Sequence, residues 1–129
     1  MRSLWLAALL AAAAASHAQS FVKAQYIFFR TNDAKKEYPS PLQLVVTDQS
    51  EIGKLTHYLP GLGLPKSGLP PAGWRAWGMV RLIRAKGPGM QIFFPSDGKF
   101  YSVVGKQGDF PASKGFRDFL LGVEKRAKP

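Results

Sequence analysis

The sequence predicts an α+β fold: a single antiparallel sheet of about five strands, in the order β-β-α-β-β-β-α, packed with two short helices. Three observations lead there. Runs rich in aromatic and β-branched residues follow one another across short turn-forming stretches. Asp97-Gly98 stands between two such runs, as in a two-residue hairpin whose type I′ turn needs positive φ at both central positions. Two apolar stripes at helical spacing, each preceded by a capping residue, supply cover for the strands.

FVKAQYIFFR, residues 21 to 30, reads as a strand, and TNDAKKEYPSP after it as a charged loop. Leu42, Leu44 and Val46 alternate with Gln43 and Val45, the pattern of a half-buried strand. Asp48 and Glu51 have capping-box spacing, which opens a helix with Ile52, Leu55 and Leu59 on one stripe and Pro60-Gly61 at its end. PGLGLPKSGLPPAG, residues 60 to 73, is too rich in proline and glycine for regular structure and is a long loop. Strands are expected over 74–84, 90–94 and 100–104, separated by AKGPG and SDGK. Ser113 is positioned to cap a last helix striped by Phe116, Phe119, Leu120 and Val123, with Lys125, Arg126 and Lys128 near its negative end.

With Asp97-Gly98 as the turn, Phe94 faces Tyr101 and Ile92 faces Val103. One side of the hairpin then carries Met90, Ile92, Phe94, Tyr101 and Val103, and the other Gln91, Phe93, Phe100, Ser102 and Val104. The preceding strand sorts Trp77, Met79, Arg81 and Ile83 from Gly78, Val80, Leu82 and Arg84. Neither set is a solvent face, although antiparallel sheets usually keep one. Either the two helices and sheet curvature cover both sides, or part of one side stays open for a partner or a second copy.

The amino terminus, MRSLWLAALLAAAAASHAQS, has a positive Arg2, an apolar stretch from Leu4 to Ala15 and a small-x-small site at Ser16-His17-Ala18. This is the pattern of a secretory signal peptide over residues 1–18, its apolar stretch falling short of the roughly 20 residues a spanning helix needs. Residues 19–129 are then a single α+β domain with no transmembrane segment. Zero cysteines exclude disulfides, thiol chemistry and thiolate metal sites, which suits a secreted protein of a bacterial periplasm.

A net charge of +10 attracts polyanions without specifying which, so an acidic polysaccharide or a phosphate-bearing surface is a candidate partner. Nucleic acid is disfavoured by export and by the lack of an RNA-binding aromatic motif. His57, the one histidine beyond the leader, cannot fill a zinc site alone. The carboxylates are scattered, and no phosphate-cradling glycine motif is present. No catalytic, cofactor or metal site is therefore expected. A small hydrolase would require folding to bring Asp109 beside His57 or another acid.

The expected activity is non-enzymatic binding to a protein partner or a second copy. The candidate contact residues are Leu62, Leu64 and Leu69 of the 60–73 loop, together with the basic and aromatic set Trp74, Arg75, Trp77, Arg81, Arg84, Lys86, Phe93 and Phe100. Arg81 and Arg84 are three apart on a strand and so point to opposite faces.

Overall fold

The computed structural model describes residues 21–62, 74–106 and 108–129. One antiparallel sheet of six strands carries two helices, the α+β architecture expected. The strands are β1 (Phe21–Arg30), β2 (Glu37–Val46), β3 (Ala76–Arg84), β4 (Met90–Pro95), β5 (Phe100–Val103) and β6 (Phe110–Pro111). The helices are α1 (Gln49–His57), between β2 and β3, and α2 (Phe116–Arg126) at the end. In space the strands run β2-β1-β3-β4-β5-β6. Because β1 lies between β2 and β3 and is antiparallel to both, β2 and β3 are parallel to each other. Parallel strands cannot be joined by a hairpin, and the crossover between them contains α1.

Both helices lie on the same face. Ile52 and Leu55 of α1 and Phe116, Leu120 and Val123 of α2 join one apolar cluster with Ala24, Tyr26, Phe28, Val80, Leu82, Ile92, Phe94, Tyr101 and Val103. Its centre is aromatic. Trp77 packs against Phe28 and Phe94 with ring centroids 5.3 and 5.7 Å apart, and Phe94 meets Phe116 edge-on at 5.9 Å.

Strict alternation would put Trp77 with Met79 on the other face. The ladder pairs Ala76 with Pro95 and then Gly78 with Phe94, so Trp77 is the extra residue of a bulge and turns inward, where it is 0% exposed. Gly78 lies beneath the same cluster. A Cβ there would stand 2.5 Å from the Ile27 carbonyl and 3.1 Å from the Phe94 ring, so nothing larger fits.

Other local details also differ from the sequence expectation. β2 begins at Glu37, and Pro39 and Pro41 sit within it because it is an edge strand whose prolines lose no ladder bond. Its outer edge is partly covered by the chain end, where Gln43 and Lys128 exchange backbone bonds of 2.7 and 3.0 Å. Asp48 caps α1, accepting from the Ser50 N–H at 3.3 Å, but Glu51 turns away from the cap to pair with Arg126 of α2. Gly115, with φ 94°, begins α2 in place of Ser113, whose N–H donates to the Tyr58 carbonyl at 2.9 Å.

The β4–β5 register is the expected one, with Ile92 opposite Val103. The connection is a four-residue one, however, closed by the Gly98 N–H on the Pro95 carbonyl at 3.2 Å, and within the Asp97-Gly98 pair positive φ occurs at Gly98 alone. β6 adds a sixth strand, Phe110 stacking on Tyr101 at 5.5 Å.

Candidate functional site

With both helices on one face, no other element among the described residues packs on the opposite face of the sheet. The strand registers order that face into two adjoining rows. One runs Val45, Gln25, Arg81, Gln91 across β2, β1, β3 and β4, and reaches Val104 through its N–H bond to the Gln91 carbonyl at 3.0 Å. The next runs Gln43, Ile27, Met79, Phe93, Ser102. The first row is polar in its middle and ends in valines that are 53% and 58% exposed. The second is apolar in its middle and polar at its ends.

Met79 is 5% exposed, although neither of the two described helices packs on this face. Phe29 extends the apolar row, stacking on Phe93 with centroids 6.4 Å apart and planes at 22°. Gln25 and Gln43 link the rows, the Gln25 side-chain N–H donating a hydrogen bond to the Gln43 side-chain oxygen at 3.3 Å.

Charge is distributed unevenly between the two sides. The six strands contain a single carboxylate, Glu37, and it is paired with Arg30 at 2.7 Å. The open face carries Arg81 and, one step along β1, Lys23, both exposed. The remaining acids lie on α1, on α2 and in the connections.

Beside Phe93 and Ser102 the open face dips into a shallow groove of about 450 Å³, lined also by Trp74, Ala76, Val104 and Asp109. Trp74 is oriented by its indole N–H, which donates to the carboxylate of the buried Asp109 at 2.8 Å. Lys106 at the rim is also held, donating to the Leu62 carbonyl at 3.0 Å with its ammonium 5.8 Å from the Phe110 ring centre.

The structure divides the sequence candidates. Trp74, Arg81 and Phe93 come together on the open face and its groove. Arg75 is exposed just before β3, Lys86 is exposed in the β3–β4 turn, and Phe100 is half-buried at the start of β5. Trp77 and Leu62 are core residues. Arg84 points to the helix side, its guanidinium 4.9 Å over the Phe21 ring, so the two arginines do occupy opposite faces. Leu64 and Leu69 lie outside the described residues.

Gln25, Ile27, Phe29, Gln43 and Val45 were not among the candidates. The period-two pattern of residues 21–30 was the signal for three of them, but their placement beside Arg81 depends on the order of the strands.

His57 is exposed on α1, edge-on to Tyr58 at 5.7 Å, whereas Asp109 lies at the groove with Trp74. Among the described residues no three of His, Asp or Glu converge in a way that could hold a metal ion, and no helix is long and apolar enough to cross a membrane. Compared with protein-family models, with curated proteins and with solved structures, the chain gives no match in any of the three.

Proposed function

We propose that the protein is a small, non-catalytic binding protein of the cell envelope that takes a protein partner on the open face of its sheet. The observation that carries this is the second row, in which Ile27 and Phe93, with Phe29 behind them, stay partly exposed around a buried Met79 on a face where no described helix packs, flanked by half-exposed valines. Sheets bury their apolar faces against another layer, and an apolar strip left without one marks an interaction surface. Export supports the envelope setting: Arg2, the apolar stretch from Leu4 to Ala15 and Ser16-His17-Ala18 form a signal-peptide pattern, and a cysteine-free chain suits the periplasm.

A photo-cross-linking residue placed at Phe29 or Val104 should give adducts heavier than the monomer in intact cells, and one placed at the exposed Lys125 of α2 should not. Adducts from Lys125 alone would refute the proposal.

Capture of an acidic polysaccharide or another polyanion is the second function that an observation favours, namely the strand cations Lys23 and Arg81 within a chain of net charge +10. It requires retention on an anionic matrix that falls steeply and log-linearly with salt, as counterion release dictates. Retention insensitive to salt would exclude it.

A further inference from the structure

Taking the open face as the binding surface, we propose that its occupant is an amphipathic helix of another protein, apolar along one side and edged with carboxylates. The two rows specify both properties. In the row Ile27, Met79, Phe93 the partly exposed Ile27 and Phe93 form an apolar track over the buried Met79, and beside it the row Gln25, Arg81, Gln91 presents a guanidinium between two amides. Arg81 is exposed, and the one strand carboxylate, Glu37, is already paired with Arg30. A guanidinium on such a surface is matched by a carboxylate from outside, and complementary charge selects the partner more than it adds affinity.

Size points the same way. Rows crossing five strands at a spacing of about 4.8 Å extend about 19 Å, the length of a helix of about 13 residues. The helix diameter of about 10 Å covers two rows whose side chains are separated by two residues along each strand.

The other occupants fit less well. A second copy packing face to face would bring Arg81 and Lys23 toward their own counterparts with no free strand carboxylate between them. An added strand needs an open backbone edge, and a sheet face offers none. A sugar ring would use aromatic and polar groups, whereas Val45, Ile83 and Val104 put exposed aliphatic surface at the margins of the face.

The experiment uses two synthetic helical peptides of about 13 residues with the same leucine stripe, one edged with glutamate and the other with lysine, titrated into the isotope-labelled protein. The glutamate peptide should shift the backbone amides of Gln25, Ile27, Met79, Arg81, Gln91 and Phe93, and the lysine peptide should bind at least about tenfold more weakly. Arg81→Glu should reverse the preference. Lys125→Glu on α2, which changes net charge equally, should leave it intact. Equal binding of both peptides on this face, or a concentration-dependent dimer broken by Met79→Asp, would overturn the acidic-helix proposal while keeping the open face as the binding surface. Shifts confined to the helix side, or none with either peptide, would overturn both.

Discussion

Glu124 accepts the indole hydrogen of Trp77 at 2.8 Å, tying α2 to the bulge in β3. The same carboxylate accepts from the Tyr38 hydroxyl at 3.2 Å and from the Asn32 amide at 3.1 Å, so one acid joins the helix to β2, β3 and the β1–β2 connection. It also explains how a fully buried tryptophan is tolerated on the bulge, since a buried N–H without a partner costs about 1–3 kcal/mol. Glu124→Leu, which removes every acceptor, should lower the urea-unfolding free energy by about 2–3 kcal/mol. Glu124→Gln, which keeps one carbonyl for the indole, should lose less than half of that. Equal losses in the two variants would show that the carboxyl matters through its charge rather than as an acceptor for Trp77.

Glu51 is committed to Arg126 and not to the α1 cap, which a double-mutant cycle can read directly. The ion pair is partly solvated, its Arg126 side chain 51% exposed, so Glu51→Gln should cost no more than about 1 kcal/mol. That cost should disappear in an Arg126→Gln background. Asp48→Ala should cost about 1 kcal/mol as an ordinary cap loss and should add to Glu51→Gln within about 0.5 kcal/mol. Strong coupling between Asp48 and Glu51 would instead restore the reciprocal capping box.

Burial pushes the Tyr26 hydroxyl well above the ordinary 10.0, with Glu51 raising it further and Arg126 opposing. Burial also raises Tyr101, where the Gly61 N–H donating at 2.7 Å opposes, and Tyr38, where Glu124 adds to the rise. The unfolded chain therefore releases these protons at lower pH than the folded one. The associated stability is fully present below pH 10.0 and is lost as pH rises beyond it. Denaturant midpoints measured from neutral to strongly alkaline pH should hold and then fall above that point, and Tyr26→Phe should flatten the fall. An equally steep decline in Tyr26→Phe would remove Tyr26 from the account.

The parts of the fold legible in the sequence were those carried by local chemistry. The stripe of Phe116, Leu120 and Val123 and the Asp48 cap depend on neighbours a turn away, and the Ile92–Val103 register depends on a turn four residues long. The bulge at Trp77 was not legible. It breaks period two in the middle of an apolar run, where either face would accept a tryptophan, and its acceptor is 47 positions away on α2. β6 is two residues long and has no alternation to display. The candidate site was half legible for the same reason: Met79, Arg81 and Phe93 sort themselves by alternation along β3 and β4, but Gln25 and Ile27 join them only because β1 is inserted between β2 and β3.

The Trp74–Asp109 bond holds the wall of the groove next to Phe93, and its removal should register in the indole itself. Asp109 is 4% exposed and takes the Trp74 N–H at 2.8 Å, so the tryptophan is oriented by a group that the fold has already buried. Asp109→Ala should free Trp74 toward solvent, shifting its fluorescence to longer wavelength and increasing quenching by added iodide, while lowering stability by about 1–3 kcal/mol. In residues 19–129, which lack Trp5, the other tryptophan is Trp77, fully buried against Phe28 and Phe94, so its emission should stay constant and the change belongs to Trp74. Asp109→Asn keeps an oxygen that can accept the indole hydrogen and should leave the emission close to that of the parent. If alanine and asparagine shift the spectrum equally, the negative charge of Asp109 and not its acceptor geometry positions Trp74. If neither shifts it, the wall of the groove does not depend on the buried acid.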